Sequence, residues 1–250
     1  MRRYAILVDG GFLKRKLGSQ RSPLDGTRFD AFLKALKEES ALSTLLLHRI
    51  YYYDAPPFEE SANKPLNGGK VNFGTTSLAR QNKALFERLK ETPFVSLRLG
   101  ELAFRGWQLA QKRLSGASGS DMTVRAADLK PDIQQKGVDM RIGLDIASLT
   151  LKRHVDVIVL VTGDSDFIPA MKFARREGAQ LFLVPLGHGI KPGLKEHADL
   201  ILDKITLSHL TAPEPTNGSL GASEARPEPV EQIHPQAVNA GAGLLSEIRG

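Results

Sequence analysis

The sequence predicts a doubly wound α/β fold, with a mainly parallel sheet covered by helices on both faces. Three observations carry this. Short, nearly unbroken apolar runs recur at residues 4–8, 45–53, 95–99, 155–161 and 180–185, the pattern of strands buried on both faces. Between several of them lie segments whose apolar residues are spaced three and four apart, which marks amphipathic helices. Strand and helix alternate along the chain, and that alternation is the connectivity of a parallel sheet.

The first strand, residues 4–8, stops at Asp9-Gly10-Gly11, so a carboxylate caps it. Residues 29–39 place Phe29, Phe32, Leu33 and Leu36 on one helical stripe. The second strand ends in Tyr51, Tyr52 and Tyr53, and alternation puts Tyr51 and Tyr53 on one face and Tyr52 on the other. Such rings stack on bases or bury against a helix, and burial is the commoner fate. Residues 54–76, rich in Asn, Gly, Pro and Lys, read as a long exposed connection. Residues 78–91 read as a helix through Leu78, Leu85, Phe86 and Leu89, and 95–99 as the third strand.

Residues 111–120 are polar and glycine-containing, with 114–120 expected to be a mobile loop. A helix is expected over 132–152, clearest in its second half, where Ile142, Ile146 and Leu149 align. The fourth strand, 155–161, runs into Thr162-Gly163-Asp164-Ser165-Asp166. A helix over 167–177 closes at Gly178, and 180–185 is the fifth strand. From Thr211 the composition turns to Pro, Glu, Gly, Ala, Ser and Asn. Such a segment buries too little apolar surface to order itself, so a domain at 1–210 and a disordered tail at 211–250 are expected, with Leu244, Leu245 and Ile248 forming at most one amphipathic turn.

The 250 residues contain no cysteine, which excludes a disulfide framework, a zinc ribbon, a thiolate nucleophile and an iron–sulfur site. Any metal therefore sits on oxygen or imidazole. The six histidines are dispersed without metal-ligand spacing. No apolar run approaches the roughly 18–20 residues that span a bilayer, and the start of the chain lacks a secretory pattern. A cytoplasmic protein without membrane contact is expected. The net charge of +6 is compatible with a polyanionic partner.

Ligands of open parallel sheets bind beyond the carboxyl ends of the strands, and here Asp9 follows the first strand and Asp164 the fourth. Asp166 opens the next helix, and Asp139 precedes the clearest part of another. Carboxylate-held magnesium or manganese activates water and shields a phosphoryl group, the two requirements of phosphodiester hydrolysis. Each acid alone is also explained as a turn former or helix cap. Together the strand-end acids and the Asp-Ser-Asp beside Thr162 and Gly163 favour a metal site. Asp145, six residues after Asp139, lies about 240° around a helix and ranks below the others, alongside Thr162, Ser165 and Lys136.

Ile-Leu-Val-Asp-Gly-Gly at 6–11, Lys-Gly-Val-Asp at 136–139 with Leu-Asp at 144–145, and Val-Leu-Val-Thr-Gly-Asp-Ser-Asp-Phe-Ile-Pro at 159–169 resemble the successive signatures of the LabA-like NYN domain family, within the PIN-like nuclease group. The resemblance spans roughly residues 4–207 by the order and spacing of these motifs. It implies a metal-dependent endoribonuclease in which Asp9, Asp139, Asp164 and Asp166 are the catalytic acids and hold Mg2+ or Mn2+. Many relatives carry an Asn shortly after the first Asp, where this chain has Gly10, Gly11 and Phe12, so an amide contact at that point is missing. By analogy a homodimer is also expected, and the tail is left as a segment for a protein partner.

RNA contacts are expected from Lys14 and Arg15, one turn beyond the first acid, with Lys16 beside them, and from Lys112 and Arg113 next to the polar segment. Arg141 and Lys136 bracket Asp139 as electrostatic helpers. The bland reading of each is a solvated helix face. A haloacid-type phosphatase would need an acid where Gly11 stands, and a Toprim-like domain would open with Glu in place of Asp9. The alternative from another class is an RNA-binding or regulatory scaffold that keeps the fold and hydrolyses nothing.

Overall fold

The computed structural model describes residues 1–19, 21–110, 122–206 and 210. The expectations for 111–120 and for the tail from Thr211, including Lys112 and Arg113, fall outside the described residues.

Six parallel strands form the main sheet: β1 (Arg3–Asp9), β2 (Leu46–Asp54), β5 (Val95–Leu99), β8 (Val157–Val161), β9 (Gln180–Val184) and β10 (Leu200–Ile201), in the spatial order β10-β9-β8-β1-β2-β5. Counted along the chain, the winding runs outward one way from β1 through β2 to β5. It then returns to β8 on the other side of β1 and continues to β9 and β10. The direction of winding thus reverses between β1 and β8, the place where open α/β sheets leave a crevice.

Successive strand residues go to opposite faces, and each face has its own helices. Tyr4, Ile6 and Val8 of β1 join Tyr52 and Val159 in a core with α1 (Gly10–Leu17), α2 (Gly26–Lys37) and α3 (Ser77–Glu91). Ala5 and Leu7 join Tyr53, Ile158 and Leu160 in a second core with α4 (Val138–Leu151) and α5 (Ile168–Arg176). A short α6 (Pro192–Glu196) adds Leu194 to the second core. Tyr51 and Tyr53 do lie on one face, with ring centroids 6.4 Å apart, while Tyr52 faces the other way. Tyr52 and Tyr53 are fully buried, so neither ring is available for stacking on a base.

Two antiparallel hairpins depart from the sequence reading. The connection expected to be irregular over 54–76 holds β3 (Ser61–Asn63) paired with β4 (Lys70–Asn72). The helix expected over 132–152 is split: β7 (Leu129–Lys136) pairs with β6 (Glu101–Leu109), and α4 begins only at Val138. Pro131 disfavours a helix through this stretch, and Gly137, at φ +75°, makes the bend that separates strand from helix. The hairpins are joined by a small aromatic core of Phe58, Phe73, Phe104 and Trp107, with neighbouring centroids 5.4–6.1 Å apart. Trp107 Nε1 donates to the Asn63 carbonyl at 2.9 Å, which satisfies its one polar atom inside this cluster.

The turn out of β1 depends on close approach. A Cβ on Gly10 would lie 2.7 Å from the Tyr53 carbonyl oxygen and 2.8 Å from the Tyr52 ring. Backbone and a fully buried ring cannot yield cheaply, so Gly10→Ala should destabilise the protein by about 1–3 kcal/mol. Urea denaturation checks this through a lower midpoint at unchanged slope.

Candidate active site

Asp9 ends β1 and caps α1, its Oδ1 accepting the Phe12 amide at 2.9 Å. The Val8–Val161 pairing of β1 with β8 brings the next residue of the β8 side, Thr162, against it. The fully buried Thr162 hydroxyl lies 3.4 Å from Asp9 Oδ2 and accepts the Asp164 amide at 3.1 Å. One hydroxyl therefore links the acids at the ends of two neighbouring strands. Asp164 Oδ1 in turn accepts the Asp166 amide at 3.0 Å, so Asp164 also serves as a cap.

Asp139 arrives from the opposite face, in the first turn of α4. Because α4 leads back to the start of β8, its N-terminus lies at the carboxyl end of the sheet. Burial raises the Asp139 carboxyl above its ordinary pKa, and the charges of Asp164 and Asp166 raise it further. Burial also raises Asp9, opposed by the Phe12 amide and Arg15 and reinforced by the charge of Asp139. All four acids are thus coupled electrostatically, directly or through Asp139. Among the described residues, no three His, Asp or Glu side chains are drawn tightly enough together to hold a metal ion as they stand. The donor set nonetheless suits a hard divalent cation, which prefers carboxylate oxygens and relieves their repulsion.

Asp145 has a different environment. Arg98 grips both its oxygens at 2.8 and 2.6 Å, and the Tyr53 hydroxyl donates to it at 2.9 Å. Lys136 and Arg141 are exposed on either side of Asp139. Ser165 accepts from Lys191 Nζ at 3.0 Å. Arg15 is exposed beside Asp9. Lys14 is committed elsewhere: its ammonium is 2.7 Å from Asp54.

Asp54 ends a strand as Asp9 does, although in the sequence its place before Ala55, Pro56 and Pro57 reads only as a turn. It is 2% exposed, and it also accepts the Ala55 amide at 2.8 Å. Also unanticipated is a cleft of about 410 Å³ that Asp164 shares with Arg15, Lys16, His188 and Lys191. His188 and Lys191 come from the loop after β9, where no periodicity signals a role.

Residues 3–203 match the family described as the NYN domain. Over 73 residues the chain is 29% identical to an uncharacterized protein of Methanocaldococcus jannaschii, covering 29% of this chain and 30% of that one. Over 119 residues it is 29% identical to an uncharacterized protein of Sinorhizobium fredii, covering 44% of this chain and 56% of that one. The chain thus spans about a third and about half the length of these curated relatives. Among solved structures, that of a protein of unknown function from Vibrio parahaemolyticus superposes with a TM-score of 0.43 at 17% identity, covering 82% of this chain and 95% of that one. No helix among the described residues is long and apolar enough to cross a membrane.

Two stability predictions follow from these contacts. Lys14→Ala leaves the buried Asp54 charge without its cation. The expected loss is about 2 kcal/mol, less than the roughly 3–5 for a fully buried pair because Lys14 is 27% exposed; chemical denaturation measures it. For Asp139, a folded pKa above the ordinary 3.8 means that ionisation costs more in the folded protein than in the unfolded chain. That cost is absent below the unfolded value and complete above the folded one. In EDTA at neutral pH, Asp139→Asn should therefore melt higher than the parent, and calorimetry should show the gap shrinking as the pH is lowered toward 3.8.

Proposed function

The chain belongs to the NYN domain family, and from that premise we propose that it is a metal-dependent endoribonuclease. The reading rests on one observation above the others: where the sheet reverses its winding, Asp139 stands near enough to Asp9, Asp164 and Asp166 for their charges to bear on one another through it. Mutual repulsion is a standing cost, and a cation held by these acids removes it. Bound there, Mg2+ or Mn2+ would supply an activated water and shield the charge on the phosphoryl oxygens.

The protein's own groups orient the acids. The Phe12 amide and Thr162 fix Asp9, and Thr162 also positions the Asp164 backbone. Arg15 beside Asp9, and Arg141 and Lys136 beside Asp139, are exposed cations suited to backbone phosphates, which set affinity without reading sequence. Lys112 and Arg113 enter on sequence grounds alone. Lys14, paired with Asp54, is a structural group in this reading. The cytoplasm, a homodimer and a tail that binds a protein partner complete the proposal.

A scaffold that binds RNA without cutting it is the second reading. The observation in its favour is that no three described His, Asp or Glu side chains stand close enough together to hold an ion as they are.

The two separate in one experiment. End-labelled single-stranded RNA and the matching DNA are incubated with the protein in Mn2+, Mg2+ or EDTA, beside Asp9→Asn and Asp164→Asn. The nuclease reading expects metal-dependent internal cuts in RNA, reduced by about 100-fold or more in either variant, with RNA affinity retained. It also expects metal to raise the melting temperature of the parent and not of the variants; ligand at about 100 times Kd stabilises by about 2.7 kcal/mol. RNA that stays intact in every metal, or variants that cut like the parent, would leave the scaffold.

A further inference from the structure

Beside the acids, the cleft between α1 and the loop after β9 holds an excess of positive charge. Arg15 and Lys16 reach it from α1 and Lys191 from the loop, with His188 between them and Asp164 as the one carboxylate in its lining. Among the described residues, none of the three strong cations forms an ion pair with a carboxylate. The two ammonium groups have other partners: Lys16 Nζ is 2.9 Å from His188 Nδ1, and Lys191 Nζ is 3.0 Å from Ser165 Oγ. Other cations meet acids directly, as Lys14 does Asp54, Arg88 does Asp30 and Arg98 does Asp145.

We propose that this cleft receives the terminal phosphate monoester of a nucleic-acid chain. The inference rests on the nuclease reading only in taking RNA as the chain concerned. Charge selects the monoester. Three cations line the cleft with one carboxylate, and although Arg15 also faces Asp9, Lys16 and Lys191 remain to meet the second charge of a monoester, which near neutral pH carries about −1.5 to −2 charges on three acceptor oxygens. An internal diester offers one charge and two free oxygens. The donor types also suit it, since an Arg fork and two mobile ammonium groups can divide three oxygens among them. The volume of about 410 Å³ falls at the small end of ligand sites, which run from roughly 300 to 1,000 Å³. Its wall is built: Phe12 is buried and meets the His188 ring edge-on, with centroids 5.9 Å apart. Asp164 lines the cleft and belongs to the acid group as well, so a phosphate held here would fix the end of a strand at a short, set distance from the acids.

The test measures binding in EDTA, so that neither metal nor cleavage enters. Fluorescence anisotropy is recorded for one internally labelled RNA oligonucleotide bearing a 5′-phosphate, a 3′-phosphate or hydroxyls at both ends, with the parent, Lys16→Ala, Lys191→Ala and Arg141→Ala. Melting curves confirm that each variant is folded. One phosphorylated end should bind about tenfold more tightly than the hydroxyl-ended RNA, and that arm identifies the end recognised. Lys16→Ala and Lys191→Ala should each remove most of this preference. Arg141→Ala, outside the cleft, should weaken all three ligands alike and keep the ratio. Equal binding of the three RNAs, or a preference that survives both cleft variants or falls equally with Arg141→Ala, overturns the proposal. Metal-dependent cleavage of hydroxyl-ended RNA would then still stand. Conversely, an end preference without any cleavage would keep this site while removing the nuclease reading.

Discussion

The acidic end of the molecule depends on the parallel pairing of β1 with β8. These strands are far apart in sequence, and the connections that leave them run to opposite faces of the sheet. No helix therefore crosses the gap between their carboxyl ends, and whatever follows each strand is left facing its neighbour. The in-register pairing of Val8 with Val161 brings Asp9 to Thr162 and, through the Thr162 hydroxyl, to Asp164. A shift of one residue would turn every side chain of β1 to the other face. Since β1 feeds two separate cores, packing on both sides fixes the register on which the acids depend.

The same end of the sheet keeps three electrostatic arrangements apart. Asp54 and Lys14 form a closed pair, largely withdrawn from solvent, that joins β2 to α1. Asp145 is closed in the same sense by Arg98 and Tyr53, which joins α4 to β5 and β2. Between these satisfied pairs, the charges of Asp9, Asp164 and Asp166 bear on Asp139, with Arg15 near Asp9 and Arg15, Lys16 and Lys191 lining the cleft of Asp164. Acids held near one another lower stability, and such local conflict in an otherwise consistent structure is characteristic of functional positions.

The main sheet was legible because its strands are buried on both faces, which forces continuous apolar runs such as Val157–Val161. The alternation of Tyr51, Tyr52 and Tyr53 was legible for the same geometric reason. The β6–β7 hairpin was not, since its residues are mostly half-buried or exposed and carry no continuous apolar run. β10, two residues long, is too short to leave a pattern. Asp9 and Asp164 stood out by following strands. Asp54 gave the same signal but stood before two prolines and read as a turn. What no periodicity reveals is pairing: that Lys14 belongs to Asp54, or that Lys191 and His188 reach back to α1, depends on the tertiary fold alone.

The aromatic cluster that joins the two hairpins belongs to neither core of the main sheet. Small packed units of this kind open and close on their own free-energy scale, well below that of global unfolding, and amide hydrogen exchange reports them separately. Here the unit continues through Gly137 directly into the turn that carries Asp139. Asp139 therefore follows directly on a packed unit of its own, while Asp9 and Asp164 follow two paired strands at the centre of the main sheet. The approach of Asp139 to the strand-end acids thus depends on the packing of Phe58, Phe73, Phe104 and Trp107 as well as on the main sheet.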